Sequence, residues 1–485
     1  MSSTLKPADV AIIGGGLAGT EAALQLADRG YQVRLYDLKP EKRSPAHHSN
    51  DLAEIVCSNS FGSMGEAASG LLKREMALLG CQLLGIATDC AVPAGQALAV
   101  DRDKFSALVT HRIQNHPNID FIGSEITALP TDTRFTLLAT GPITTEPLVK
   151  AMGQLLNRGN LYFFDAAAPI VMKDSVNFEV AFFQDRYNKT LGKTLGEGDE
   201  ASYINCPMNQ AQYEAFYAFL TNAEKIPLKS FEEAEKASFF ESCMPVEVIA
   251  SRGVDTLRYG PMKPVGLENP HKPDEKPHAV VQLRQDNAEG TLYNLVGFQT
   301  NLKWGEQKEL LKLIPGLEAA EVVRYGVMHR NTYFHSPEVL LPTLQFKVMP
   351  NLMLAGQLTG TEGYTESIAT GLVAALNIAR QLEGEAPLAL PRETMLGSLL
   401  HYITREEAVG KNFQPINSNW GILPELGFRV KVKKERAGHH KARALKAMKA
   451  FLPELTRPFA EKGVTLQTTA LKVFDDLDAP VLVEV

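Results

Sequence analysis

Two cysteines stand in surroundings that favour reactivity over burial. Cys57 lies in EIVCSNSFGS, just before small and polar residues that predict the start of a helix. A thiol at a helix N-terminus ionises more readily and becomes a better nucleophile. Cys243 lies in FFESCMPVE, where Met244 and Pro245 predict a turn rather than a core strand. Both are therefore candidate catalytic thiols, and burial as a small apolar side chain is the alternative for each.

The other three cysteines, Cys81, Cys90 and Cys206, are expected to be small buried side chains. All five cysteines are scattered along the chain, and no two of them form a CxxC pair. The sequence therefore predicts neither a disulfide framework nor a metal site.

A glycine-rich turn near the start of the chain has the pattern of a dinucleotide-binding motif. It follows an apolar run that predicts a buried strand, and it precedes a pattern of helical periodicity. The first glycine permits a tight turn, the second lets a pyrophosphate approach the backbone, and the third lets helix and strand pack closely. Asp37 ends the next strand, where a carboxylate can accept the ribose hydroxyls. The predicted contacts are Gly14, Gly15, Gly16, Leu17, Ala18, Gly19 and Asp37.

Two later segments extend this motif towards a flavin. ATGP at 139–142 and AGQ at 355–357, with GYTES at 363–367, resemble the second and third fingerprints of glutathione-reductase-type flavoproteins. Three fingerprints in order favour FAD as a tightly held cofactor. The further predicted contacts are Thr140, Gly141, Gly356, Gln357, Tyr364, Glu366, Ser367 and Gly371. Tyr364 could also stack on the flavin ring or gate it, with core packing as the alternative.

The elements that must position these residues predict an α/β protein. The chain has 485 residues, which is more than a single core usually supports. We predict a Rossmann-type, glutathione-reductase-like FAD-binding domain that is interrupted by a smaller inserted α+β domain. The predicted parts are 1–160 for the first FAD-binding part, 161–329 for the inserted substrate domain, 330–465 for the second part with a basic C-terminal segment, and 466–485 for a tail.

The inserted domain contributes two polar clusters, 284–287 (RQDN) and 329–331 (HRN). The candidate substrate contacts in them are Arg284, Asp286, His329, Arg330 and Asn331. Hydrogen bonding at a domain interface is the alternative interpretation.

Charge is distributed unevenly along the chain. The net charge of −7 argues against a nucleic-acid partner, but nine lysines and arginines lie between Arg429 and Lys449, where only Glu435 opposes them. That window carries +8 and leaves −15 for the rest of the chain. Such asymmetry favours a polyanionic partner, and a solvated helix face is the alternative.

The sequence shows no apolar run of membrane-spanning length, no secretory signal and no lipidation motif. We therefore expect a cytoplasmic protein without a membrane partner.

Longer stretches resemble the folate- and FAD-dependent tRNA (uracil-5-)-methyltransferases, the TrmFO family. They include IIGGGLAGTEAA, PAHHSNDLAEIVCSNS, VVQLRQDNAEGTLYNLVGFQTNLKWGEQK and LAGQLTGTEGY, and such matches run in order from about residue 9 to 420. The sequence departs from the family pattern at 61–63, and its segment after about 430 is longer than expected.

The resemblance implies methylation of uracil C5 in tRNA, at uridine 54 of the T-arm. The carbon would come from 5,10-methylenetetrahydrofolate and the electrons from NADPH or NADH, through FAD. A thiolate would add to C6, the enolate so formed at C5 would attack the one-carbon unit, a base would remove the C5 proton, and reduced flavin would supply a hydride to the exocyclic methylene. Cys57 and Cys243 match the two functional cysteines of the family. Their order of roles stays open, and we favour Cys57 as nucleophile and Cys243 as base.

Three rival functions remain at this point. The first is the related FAD- and folate-dependent modification of a wobble uridine, whose enzymes are longer, with an extra helical C-terminal domain. The second is an NAD(P)H-dependent flavin oxidoreductase of a small molecule, and the third is a non-catalytic tRNA-binding flavoprotein. The oligomeric state is left open by the sequence.

Overall fold

The structure is a computed structural model. It describes residues 7–44, 46–156, 161–166, 168–190, 193–194, 201–226, 244–287, 290–326, 328–410, 413 and 415–460. The described strands are β1 Val10–Ile13, β2 Val33–Asp37, β3 Ser60–Ser63, β4 Ala91–Val92, β5 Ala97–Val100, β6 Ile119–Gly123, β7 Phe135–Leu138, β8 Leu161–Ala166, β9 Ile170–Met172, β10 Phe182–Phe183, β11 Lys189–Thr190, β12 Lys193–Thr194, β13 Tyr203–Met208, β14 Ala279–Gln285, β15 Leu292–Leu295, β16 Val322–Arg324, β17 Met328–Tyr333, β18 Gln345–Phe346 and β19 Met349–Leu354. The described α-helices are α1 Leu17–Ala27, α2 Ala68–Leu78, α3 Gln82–Asp89, α4 Arg102–Gln114, α5 Glu146–Leu156, α6 Gln210–Asn222, α7 Val246–Ser251, α8 Thr256–Tyr259, α9 Trp304–Lys312, α10 Ser336–Val339, α11 Tyr364–Leu382, α12 Met395–Thr404 and α13 Lys433–Ala460.

The first sheet has the strand order β18-β19-β7-β1-β2-β6. Its central strands pair in parallel, and only β18 runs antiparallel at the edge. Every residue of β1 is buried, as expected for a central strand whose two faces are both covered. The apolar run before the glycine turn is therefore the middle of a Rossmann-type sheet.

Helices α1 and α11 pack closely against each other. A Cβ at Gly371 would lie 2.2 Å from the carbonyl oxygen of Ala18, and one at Gly19 would lie 1.9 Å from that of Gly14. Both glycines are thus required by packing: a side chain at Gly371 would not fit between α1 and α11, and one at Gly19 would not fit against the turn that precedes α1.

We expect Gly371→Ala to lower the free energy of unfolding by about 3 kcal/mol, since the added methyl group forces α1 and α11 apart. This change is measured by urea denaturation, with circular dichroism as the probe of unfolding. The matched control is Gly438→Ala in α13, where a Cβ meets no atom within 4 Å. That substitution should be neutral or stabilising by up to about 1 kcal/mol, and equal unfolding midpoints for the two variants would contradict the packing argument.

The second sheet has the order β10-β13-β14-β15-β9-β16, and all its neighbours are antiparallel. Helices α6, α7 and α9 bury Phe216, Val246 and Leu310 in its core. The sheet contains only residues that lie between β7 and β18 in chain order, so this unit is an insertion into the first. The antiparallel pair β8 and β17 lies at its entrance and exit. The domain limits at 160/161 and 329/330 remain our proposal, and 466–485 lie outside the described residues.

Helix α13 carries much of the basic segment, and it is part of the first core. Ala444, Met448, Leu455 and Phe459 are buried there, and the buried Arg380 donates to the carbonyls of Glu454 and Leu455 at 2.7 and 3.1 Å. Among the described residues, no helix is both long and apolar enough to cross a membrane.

Candidate active site

A large cavity opens at the carboxyl ends of β1, β2 and β7, beside the N-termini of α1 and α11. It encloses about 1190 Å³ of empty space, counting the part that is open to solvent. This is the edge at which open α/β sheets bind their ligands. The predicted residues that line it are Gly14, Gly15, Gly16, Leu17, Ala18, Asp37, Thr140, Gly141, Gly356, Gln357, Tyr364 and Ser367.

The glycine turn leaves room for a ligand where the motif predicts it. Gly14 has φ +111°, and a Cβ there would lie 2.3 Å from the carbonyl oxygen of Ala139, so glycine is required. A Cβ at Gly16 would meet no atom within 4 Å. Gly16 precedes the first turn of α1, whose N–H groups carry the positive end of the helix dipole. The open space above this turn fits a pyrophosphate.

Asp37 is held rigidly at the end of β2. Its Oδ2 accepts a hydrogen bond from the Gly15 N–H at 2.7 Å, and its Oδ1 accepts one from the Lys39 N–H at 2.9 Å. Since a carboxylate can accept about four hydrogen bonds, acceptor capacity remains for ribose hydroxyls in the cavity. The motif and the acid together fit the adenosine half of a dinucleotide.

Three predicted cofactor contacts lie elsewhere. Gly19 packs against the Gly14 carbonyl and Gly371 against α1 at Ala18, and neither is among the described residues that line the cavity. Glu366 is buried, and its Oε1 accepts from the Ser418 N–H at 3.0 Å and the Ser418 hydroxyl at 2.6 Å. It therefore anchors the loop after α12 to α11, and we assign no cofactor contact to these three residues.

The Cys57 loop, residues 55–59, borders the cavity. Val56 lines the cavity, and the Cys57 N–H donates to the Tyr364 hydroxyl at 2.7 Å. The prediction that Cys57 precedes a helix is wrong. The polar run after it enters β3, which pairs with β5. Cys57 is partly exposed, whereas Cys81, Cys90 and Cys206 are buried as predicted; Cys243 lies outside the described residues.

Two arginines hold the backbone of this loop. Arg102 donates to the carbonyls of Ile55 and Cys57 at 2.7 and 2.9 Å, and Arg324 donates to the carbonyl of Val56. Arg102 also forms a two-bond ion pair with Asp286, at 2.9 and 3.0 Å. Burial alone would lower the pKa of Arg102, but the neighbouring Asp286 carboxylate keeps that pKa above its usual value.

The predicted substrate residues of the inserted unit bind the same loop. Arg284 donates to the Asn59 side chain at 3.1 Å and to the Ser58 hydroxyl at 2.8 Å. Asp286 accepts from Asn294 at 2.9 Å in addition to Arg102. In the structure these two residues join the inserted unit to the Cys57 loop. His329, Arg330 and Asn331 lie on β17, opposite β8, and their side chains are outside the described part.

Comparison with known proteins bears on what this arrangement does. The chain is 53% identical over 443 residues to methylenetetrahydrofolate–tRNA-(uracil-5-)-methyltransferase TrmFO of Bacillus subtilis, covering 91% of this chain and 98% of that protein. It is 52% identical over 441 residues to the TrmFO of Bacillus licheniformis, with the same shares. The chain belongs to the TrmFO family. The resemblance seen in its motifs is thereby confirmed.

Residues 9–386 of this TrmFO-family chain also match the model of the family described as glucose inhibited division protein A. Crystal structures of Aquifex aeolicus GidA share its fold, with TM-scores of 0.65 and 0.64 at 17% and 18% identity. They cover 95% and 94% of this chain, which covers 77% and 78% of theirs. The predicted FAD-binding Rossmann-type fold is confirmed.

Sequence reasoning missed several residues of the site. Lys39, Ser44, His47 and Glu54 line the cavity, and burial lowers the pKa of Lys39. They belong to the segment between β2 and β3, whose path no local pattern reveals. Arg102 is a further omission, although the stretch VPAGQALAVDRD that contains it is part of the family resemblance.

We expect Asp286→Ala to slow methyl transfer at least tenfold while FAD stays bound, because Arg102 loses its counter-ion and the Cys57 loop loses its fixed position. Single-turnover formation of methylated tRNA, beside the flavin spectrum, measures this effect. Asp132→Ala is the matched control, since it removes the partner of the buried Arg34 on β2. Equal rates for the two variants would show that the ion pair of Arg102 serves stability alone.

Proposed function

We propose that this chain methylates C5 of uridine 54 in the T-loop of tRNA, with 5,10-methylenetetrahydrofolate as carbon donor and NADPH or NADH as reductant. The reaction would take place in the cytoplasm. The observation that carries the proposal is the placement of Cys57, which two arginines and Tyr364 hold at the border of the cavity that contains the glycine turn and Asp37. The names of the Bacillus relatives state the same reaction for those proteins.

The residues that line the cavity would hold FAD. The turn 14–16 and the first N–H groups of α1 would bind its pyrophosphate, and Asp37 would accept its ribose hydroxyls. Thr140, Gly141, Gly356 and Gln357 would lie along the rest of the cofactor, with Tyr364 and Ser367 near the flavin ring. Reduced FAD bound there would supply the hydride that completes the methyl group.

Cys57 is our candidate for the nucleophile. Uracil C5 is a poor nucleophile until a thiolate adds to C6 and creates an enolate at C5. Tyr364, Arg102 and Arg324 fix the backbone on both sides of this thiol. Because the loop is already ordered, the thiol can reach C6 of uracil without a further loss of conformational entropy. Cys243 would remove the C5 proton as the base.

The deciding experiment incubates the purified flavoprotein with 5,10-methylenetetrahydrofolate, NADPH and unmodified tRNA, and then analyses the nucleosides. Ribothymidine should appear, and tritium should leave C5-labelled uridine. Omission of the folate should prevent both. NADPH oxidation without ribothymidine or tritium release would instead support the small-molecule oxidoreductase, and a modified wobble uridine would support the related wobble enzyme.

A further inference from the structure

An exposed basic surface lies on α13 and on the segment that precedes it. Its cations are all exposed: Arg429, Lys431, Lys434, Arg436, Lys446 and Lys449. Glu435 is the only carboxylate of the sequence between 429 and 449. We refer to these six cations, together with Phe428 and His439, as the basic surface.

Two of these cations, Lys446 and Lys449, lie on α13 away from its buried face. Ala444, Met448 and Leu455 pack into the first core, and the helical repeat places Lys446 and Lys449 away from them. Within the described part of the chain, neither of these lysines forms an ion pair. Their charge is therefore available to a ligand rather than neutralised by the protein.

An aromatic ring stands among these cations. Phe428 is 58% exposed, and its ring meets His439 edge-on at a centroid distance of 5.2 Å. Arg443 donates to the carbonyls of Pro424 and Glu425, at 2.6 and 2.7 Å, and so ties the preceding segment to the helix. Cations beside an exposed aromatic ring are the combination with which proteins bind unpaired nucleotides.

The helix of the basic surface packs on elements that also hold the Cys57 loop. Helix α13 packs against α2 and α11, and Lys441 forms an ion pair with Glu66 at 3.2 Å. Glu66 lies just beyond β3, the strand that follows Cys57, and Tyr364 in the first turn of α11 binds the Cys57 N–H. One RNA bound on this surface would therefore be held in a fixed relation to the candidate active site.

We propose that the basic surface binds the phosphate backbone of the RNA substrate, and that Phe428 stacks on an unpaired base beside it. This inference rests on the proposed function and locates its macromolecular substrate. The charge balance supports it, because the remainder of the chain carries −15 and repels a polyanion elsewhere. An anionic membrane fits less well, since the apolar face of α13 is buried in the core and cannot enter lipid.

The test is the charge reversal Lys446→Glu/Lys449→Glu in the full-length flavoprotein. We expect Kd for unmodified tRNA, and the KM with it, to rise about tenfold at physiological salt. The slope of log Kd against log salt should become shallower by one to two. Phe428→Ala should weaken binding about fivefold without changing the slope, because stacking releases no counterions. Unchanged FAD content and melting temperature confirm that the variants fold. Truncation after Arg429 is unsuitable, since it removes buried core residues.

The matched control is Lys263→Glu/Lys276→Glu, which reverses two exposed lysines of the inserted unit. It should bind tRNA like the wild type. An equal loss in the control would overturn the proposal in favour of general electrostatics, and so would unchanged affinity in the Lys446/Lys449 variant. Binding of vesicles rich in anionic lipid in preference to tRNA would also overturn it. Direct RNA affinity separates this proposal from the proposed function, because a wild type that binds tRNA yet forms no ribothymidine refutes only the latter.

Discussion

Cys57→Ala should abolish covalent capture of a 5-fluorouridine T-loop RNA and reduce methyl transfer below detection. Fluorine at C5 cannot leave as a proton, so the adduct between the thiol and C6 stalls in the wild type. Without the thiol no adduct forms. A denaturing gel with labelled RNA separates the two outcomes, and the flavin spectrum should be unchanged because Cys57 belongs to no phosphate or ribose contact.

The other cysteines supply the controls for this result. Cys206→Ala should still form the adduct and lose only some stability, because Cys206 is fully buried in β13. Cys243→Ala should form the adduct but fail to turn over, since proton removal follows addition. Retention of the adduct in Cys57→Ala and its loss in Cys243→Ala would exchange the two roles. An adduct that neither substitution affects would refute the thiol mechanism.

Gly16→Leu is expected to give a folded but colourless protein. Gly16 has φ −77° and ψ −171°, which any residue adopts, and a Cβ there would meet no protein atom within 4 Å. The leucine side chain would instead occupy the space into which the pyrophosphate fits. Absorbance near 450 nm per mole of protein, with FAD in excess during purification, should fall more than tenfold relative to the wild type.

A glycine outside the cavity provides the comparison. Gly305→Ala, at the start of α9, also introduces a Cβ into open space, and it should purify yellow. If Gly16→Leu is equally yellow and has a normal circular dichroism spectrum, the pyrophosphate does not lie above this turn. Gly19→Leu would be uninformative, because its clash with the Gly14 carbonyl would unfold α1.

The parts of the fold that follow from local pattern could be predicted. The apolar run of β1, the glycine turn and the helical periodicity of α1 are encoded within a few neighbouring residues. The prediction of a helix after Cys57 was wrong because the polar residues there resemble a helix start. The conformation of this segment is decided instead by pairing with β5, some 40 residues later. Such long-range pairing leaves no periodic signal in β3 itself.

The residues of the candidate site also fall into those that a local pattern reveals and those that it does not. Its glycines could be found because their backbone conformation is local, but Arg102 and Arg324 bind the Cys57 loop across 45 and 268 residues of chain. Arg284 and Asp286 stand out in the sequence as part of the polar cluster 284–287. A sequence does not reveal whether such residues face a ligand or another part of the protein, and here they contact Ser58 and Arg102.

The inserted unit therefore helps to hold the Cys57 loop in place. Arg284, Asp286 and Arg324 all reach the loop or Arg102 from that unit, and the Asn59 amide donates back to the Gln285 carbonyl at 2.9 Å. The dinucleotide cavity, by contrast, is lined entirely from the first unit. Because these contacts join the inserted unit to the Cys57 loop but not to the cavity, we expect partial unfolding of the inserted unit to lower methyl transfer at denaturant concentrations at which FAD stays bound.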